Sequence, residues 1–265
     1  MPSPAASPSA VPPAVPATFP AALAAAQRAD GARPMVTFYD DATGERVELS
    51  VTTYANWVAK TAGLVQEELD GERGGLVLVD LPTHWLGAVW LGAAWTLGMG
   101  VTDDRTLAGQ ADVLVCGPDR VAEYAARDGA AAGRPPVVAL SLSPLAGRFG
   151  DPLPTGVTDY GAVVLAQPDV LVTLEEPVGT DVAWRDGAGT VTQEQLLAEA
   201  AATTAPAPGG RLLTDLAPTT RTGLGTLLAP LVAGGGTVWV RNPAPASWST
   251  RADQERVSDV LRAAQ

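Results

Sequence analysis

A chain of 265 residues with 46% hydrophobic side chains can bury one large core or two small ones. Its 17 basic residues against 29 acidic ones give a net charge of −12, which excludes general affinity for nucleic acid phosphates. A single cysteine, Cys116, and a single histidine, His84, exclude an internal disulfide, a multi-cysteine metal centre and a two-histidine metal site within one chain.

Met1 to Ala17 is mostly Ala, Ser and Pro, with prolines at 2, 4, 8, 12, 13 and 16. Such a segment cannot form a helix and buries little, so residues 1–18 are expected to be a disordered tail ahead of an α/β domain at 19–265. It lacks the positive start and apolar middle of a secretion signal, and no run of about 18 apolar residues follows. The expectation is therefore a cytoplasmic protein without a membrane partner.

Phe19 to Ala29 reads as a short helix. Met35–Tyr39 and Val47–Leu49 flank Asp41-Ala42-Thr43-Gly44, the composition of a hairpin. Thr52 or Thr53 can cap the next helix, on which Tyr54, Trp57, Val58, Thr61, Leu64, Val65 and Leu69 recur at helical spacing. Leu76–Leu81 is almost continuously apolar except for Asp80, the pattern of a strand buried on both faces. Trp85, Leu86, Val89, Trp90, Ala93, Ala94 and Leu97 then mark one face of a helix, which Gly98 ends.

After Gly100 the pattern is strand (Ala111–Cys116), helix (Asp119–Ala132) and strand (Pro136–Leu142). Ser143 to Pro168 offers only a short strand at Ala162–Ala166. Val182–Trp184 and Thr190–Thr192 flank the tight-turn sequence Arg185 to Gly189, and a helix follows from Gln193 to about Thr203. Leu212–Leu216 reads as a strand, Gly223–Ala233 as a helix and Thr237–Arg241 as a strand. Ser249 or Thr250 can cap a last helix carrying Val257, Val260 and Leu261. No repeat of fixed period is visible. Strands alternating with helices predict an α/β fold with a layered, mainly parallel sheet, flanking helices and an N-terminal β-hairpin.

The run from Val36 to Val65 resembles the entry of the AMP-dependent synthetase and ligase (acyl-adenylate-forming) superfamily, with Thr53-Tyr54 at the family's helix start. LPTHWLGAVWLGAAWTLGMGV is similar to that family's strand, turn and helix end, and Leu212–Val240 resembles its "PLFHxxG" segment. The likeness covers roughly Phe19 to Arg241 and is nearest to a group of shortened actinobacterial proteins. It implies an α/β domain equivalent to the N-terminal part of such ligases.

The same resemblance places the family's phosphate loop at Asp181–Leu197. Such loops work by presenting successive main-chain N–H groups, hydroxyls and a lysine to the phosphates of ATP. Here the loop has shrunk to Arg185–Gly189, holds no lysine, and carries Asp186 where phosphate would sit. Arg221 stands near the position of the family's "PLFH" histidine, and the family's magnesium-binding Glu, ribose-binding Asp and lid lysine find no counterpart before Gln265. No catalytic residue is expected. Arg185, Gly187, Gly189, Arg221 and Gly223 are the positions at which ATP or AMP would be held if a nucleotide binds; otherwise no cofactor is expected.

His84 is read as a helix-start residue, since no G-x-S-x-G elbow accompanies it. Gly223-Leu224-Gly225 suits either an anion at a helix start or close packing. Arg185 and Arg221 could each fork onto an anion or simply be solvated. Trp57, Trp85, Trp90 and Trp95 belong to the core, and Cys116 is an inert small hydrophobe. The expected function is a non-catalytic relative of the ligases, acting as a binding or assembly protein with an unknown protein partner or a second copy. The alternative is a nucleotide- or acyl-binding enzyme completed by a partner chain.

Overall fold

The computed structural model describes residues 15–126 and 135–263. Its elements in chain order are α1 (Phe19–Asp30), β1 (Pro34–Asp40), β2 (Glu45–Ser50), α2 (Val51–Glu68), β3 (Leu76–Asp80), α3 (Trp85–Thr96), β4 (Gly100–Thr102), β5 (Val113–Cys116), α4 (Val121–Ala126), β6 (Val137–Ala139), β7 (Val157–Asp159) and α5 (Tyr160–Val163). They continue with β8 (Val182–Asp186), β9 (Gly189–Thr192), α6 (Gln193–Ala202), β10 (Arg211–Thr214), α7 (Leu224–Val232), β11 (Gly236–Arg241), α8 (Trp248–Gln254) and β12 (Asp259–Leu261).

The strands form two sheets. One has the order β12-β10-β11-β1-β2, the other β7-β6-β5-β3-β4-β8-β9. Both are parallel except for one antiparallel edge strand, β2 in the first and β9 in the second. Helices α1, α2, α3, α6 and α7 share one core with the inner faces of both sheets. The outer face of the seven-stranded sheet is covered around Val121 and Tyr124, and that of the five-stranded sheet around Trp248.

β3 lies in the middle of its sheet and is buried on both faces: Val77 and Val79 face the inner core, Leu78 the outer one. Helix α3 departs from the expected single apolar face. Every residue from Trp85 to Trp95 is buried. Small Gly87, Ala88, Gly92, Ala93 and Ala94 permit this by letting neighbours approach: a Cβ on Gly92 would lie 2.7 Å from the Tyr54 hydroxyl. Helix α2 is capped by Ser50, whose Oγ accepts the Thr53 N–H at 3.1 Å, and not by either threonine. Gln193, buried under α6, accepts the Phe19 N–H and donates to the Trp95 carbonyl, both at 2.8 Å, tying three helices together.

Three other expectations are corrected. Ala162–Ala166 is helical, continuing α5 into a 3-10 turn, because the Asp159 carboxylate caps the Gly161 N–H at 3.1 Å. The last helix is uncapped by a side chain and ends at Gln254, and Val260 belongs to strand β12. The strands β4 and β7 were not foreseen; each is three residues long and too short to show a period. The expected helix through Ala132 runs past the described residues, and most of the tail lies outside them as well.

An order of elements repeats without a fixed period, visible in hydrogen bonds and in scattered identities such as Gly75 with Gly210 and Asp80 with Asp215. Hairpin, helix, strand, helix, strand and strand occur twice, as β1-β2-α2-β3-α3-β4-β5 and as β8-β9-α6-β10-α7-β11-β12, the second copy inserting α8 between its last two strands where the first has only a 3-10 turn. Gly98 (φ 69°) and Gly234 (φ 72°) end the corresponding helices α3 and α7. Met99 N–H donates to Ala94 O and Gly235 N–H to Pro230 O, at 2.9 and 2.8 Å. Gly100 donates to Gly75 O and Gly236 to Gly210 O, at 2.8 and 3.1 Å. Each copy's hairpin completes the other copy's sheet: β1 pairs with β11, and β8 with β4.

Candidate functional site

In an open parallel sheet, ligands bind beyond the carboxyl ends of strands where neighbouring connections leave in opposite directions. In the seven-stranded sheet that place lies between β3 and β5. The β3 connection runs through α3 in the inner core to β4, and the β5 connection through α4 on the outer face to β6. A crevice of about 290 Å³ opens there, lined by Asp80, Leu81 and Pro82 after β3, Gly117 to Arg120 after β5, Arg105 after β4 and Leu142.

The strand order β5-β3-β4 sets the order Arg120, Asp80, Arg105 across the crevice, and Asp119 adds a second acid to the lining. Arg105 holds Asp80 with two nitrogens, Nε to Oδ2 at 2.9 Å and Nη2 to Oδ1 at 3.1 Å. Arg120 Nε stands 3.8 Å from Oδ2 and its Nη1 donates to Glu123 at 3.1 Å. From beneath, the buried Tyr124 hydroxyl donates to Asp80 Oδ2 at 3.0 Å. Burial, with the adjacent Asp80 charge, pushes the Tyr124 phenol well above its ordinary range, so it stays a donor. Both arginine side chains are 41% exposed and can reach a ligand. Two such forks beside an apolar wall suit a phosphate-bearing ligand. Beyond β4, burial and the neighbouring Asp186, Asp104 and Asp80 charges raise the Asp103 carboxyl.

The candidate residues at the shrunken loop are held differently. The β8–β9 turn carries Arg185, Gly187 and Gly189, the last at φ 139°. Asp186 Oδ1 accepts the Ala188 N–H at 2.8 Å, its Oδ2 accepts Trp184 Nε1 at 2.8 Å, and the Gly189 amide also bonds to it. The Trp184 bond, followed by the turn amides, holds the carboxyl below its ordinary value. The Ala188 and Gly189 amides of this turn are thus bonded to the chain's own carboxylate. Arg185 turns away to Gln110 Oε1 at 2.6 Å.

Arg221 pairs with Glu199 at 2.8 Å and is near enough to stabilise the Asp186 charge, so it neighbours the turn. It lines a groove of about 200 Å³ between α6 and α7. Gly223 serves packing: a Cβ there would stand 1.8 Å from the Ala217 carbonyl oxygen, and its N–H is given to Thr220 O at 2.9 Å.

His84 is fully buried and its Nδ1 accepts the Leu86 N–H at 3.2 Å, capping α3, with the ring 4.6 Å from that of Phe38. Burial, with repulsion from Arg241, lowers its pKa to about 3, so it is neutral at pH 7. Burial pushes the Cys116 thiol up to about 12, leaving it unreactive. Among the described residues no group of three or more His, Cys, Asp or Glu side chains could hold a metal, and no helix is long and apolar enough to cross a membrane.

The sequence reading passed over Asp80, Arg105 and Arg120 as a set. Asp80 was legible as the one acid in an apolar run, but Arg105 could not be placed at a strand end while β4 went unrecognised.

A TIGR03089 family protein of Mycobacterium tuberculosis (strain ATCC 25618 / H37Rv) is 39% identical over 241 residues, which are 88% of this chain and 93% of the relative. The chain belongs to the TIGR03089 family. No protein-family model matches it. Among solved structures, an acyl-CoA synthetase of Brucella canis superposes with a TM-score of 0.73 over 91% of this chain and 47% of that one, at 17% identity. The acetoacetyl-CoA synthetase of Streptomyces lividans gives 0.75 over 93% and 42%, at 16% identity. At such identities the likeness establishes the fold: this TIGR03089 member has that of the N-terminal part of the synthetases, and it spans about half of their length.

Proposed function

We propose that this chain binds a phosphate-bearing ligand in the crevice between β3 and β5 and does not form an acyl-adenylate by itself. One observation carries the reading: the amides of the β8–β9 turn, where the fold's resemblance to ligases would put the ATP phosphates, are bonded to Asp186. An anion added there would have to displace a covalently attached competitor and meet its charge. The crevice, in contrast, is open and offers Arg105 and Arg120. The matched structures are named as acyl-CoA and acetoacetyl-CoA synthetases, which makes coenzyme A the first phosphate-bearing ligand to test, in a binding or assembly role with a second copy or another protein.

Two measurements decide it. Pyrophosphate exchange into ATP should stay at the level of a heat-killed control; exchange above that level overturns the non-catalytic part. Coenzyme A near 100 times its Kd should raise stability by about 2.7 kcal/mol, read as a thermal shift. The shift should vanish in Arg105→Gln/Arg120→Gln, and a shift untouched by that double variant removes the crevice from the account.

A second reading is a nucleotide- or acyl-binding enzyme completed by a partner chain, with ATP or AMP held near Arg221. It is favoured by the groove between α6 and α7, which opens beside the turn. Exchange activity that appears only when a second chain is added would select it.

A further inference from the structure

We infer that Asp80 is a built-in counter-anion of the crevice, which a phosphate-bearing ligand must displace from the two arginines in order to bind. The inference rests on the reading of the crevice given above and concerns how that site is regulated. Asp80 is positioned to compete because its strand lies between those bearing Arg105 and Arg120, and all three side chains line the same space. Its two oxygens take up both near nitrogens of the Arg105 fork, the geometry a phosphate would otherwise use.

Neither arginine needs the pair for solvation, since each side chain is 41% exposed while Asp80 is 15% exposed. The aspartate itself is held independently of the arginines, by the Tyr124 hydroxyl at 3.0 Å and at the end of β3 beside Cys116 in the parallel register. Arg105 and Arg120 sit instead on short 3-10 turns, Arg105–Leu107 and Pro118–Arg120, at the rims. Ligand binding therefore moves the guanidinium groups off Asp80, which stays on Tyr124, and the carboxylate left behind opposes every added negative charge. No bond is made or broken, and the exchange is of one ion pair for another.

The test is titration calorimetry with inorganic pyrophosphate on the full chain, comparing wild type, Asp80→Asn, Arg120→Gln and Arg105→Gln. Asn keeps an acceptor for Tyr124 while removing the charge, and circular dichroism melts establish that each variant is folded; Asp80→Ser serves if Asn fails to fold. Removing a like charge about 4 Å from the ligand should tighten binding on the order of tenfold, and each arginine variant should weaken it by a similar factor. Binding by Asp80→Asn where wild type shows none also supports the inference. If the arginine variants lose affinity but Asp80→Asn is unchanged or weaker, Asp80 merely positions the arginines; the inference falls and the crevice stands. If no variant binds, or the arginines make no difference, the crevice reading falls and takes the inference with it.

Discussion

The two copies of the folding plan reach the same point in different ways. β3 ends in Asp80 and β10 is followed by Asp215, each at the carboxyl end of a strand whose neighbours are the next two strands of its copy. Asp80 meets side chains, Arg105, Arg120 and Tyr124, around an open crevice. Asp215 meets main chain: the Ala263 N–H donates to it at 2.7 Å, with Arg262 Nε at 3.9 Å. The first arrangement can be exchanged for a ligand by rotating side chains. The second would require the backbone after β12 to move. The plan supplies the position of an acid, and the loops beyond decide whether that acid is a clasp or a gate.

The comparison can be broken most severely at Trp95, whose counterpart is Leu231. Trp95→Leu gives the first copy the residue of the second, but it empties space beside Phe19 and leaves the Ala183 carbonyl without its 2.8 Å donor. It should cost about 2–4 kcal/mol in urea unfolding. Gly98 and Gly234 share a left-handed conformation, yet a Cβ on Gly98 would lie 2.8 Å from Arg73 Cγ, while nothing lies within 4 Å at Gly234. Gly98→Ala should therefore cost roughly 2 kcal/mol or more and Gly234→Ala about 1 kcal/mol; equal costs would mean the extra contact yields freely.

A smaller difference is expected at the helix starts. α6 has a reciprocal capping box between Thr192 and Gln195, whereas α2 has the single Ser50 bond. Thr192→Ala should destabilise by about 1–1.5 kcal/mol and Ser50→Ala by about 1 kcal/mol, measured in the same melts.

Least in size is a pH effect confined to the five-stranded sheet. Burial works to raise the Glu255 carboxyl, but donated bonds from Tyr39 and Arg46 and the Arg211 and Arg46 charges outweigh it and hold it below its ordinary value. A depressed carboxyl contributes stability that is fully present above its unfolded value near 4.5 and is lost as pH falls through the lower folded value. Glu255→Gln should flatten the acid limb of the stability curve below about pH 5 and leave its neutral limb parallel.

Long, strongly patterned elements were readable from residues alone. The apolar run Leu76–Val79 and the helical spacing from Tyr54 to Val65 each follow from a local rule, and both stand in the structure. The shape of α3 was not readable, because burial on all sides depends on what surrounds the helix. Short β4 exists because β3 and β8 offer it edges, and no window of three residues can report that. The repeated order escaped because its two copies keep few side chains in common, Asp80 with Asp215 but not Trp95 with Leu231, and keep no fixed spacing, while sharing carbonyl acceptors and glycine conformations. At the site, the turn's lost charge was legible in Asp186 itself, but its bonds to the Ala188 and Gly189 amides required coordinates.

The exchange of hairpins between copies also bears on how the polypeptide can be made. β1 aligns Val36 with Thr237, so during synthesis this strand lacks its parallel partner until some 200 residues later. At about 5–20 residues per second that is a wait of roughly 10–40 seconds. Throughout it the β1–β2 ribbon has one bare, hydrogen-bonding flank, the kind of edge on which strands mispair.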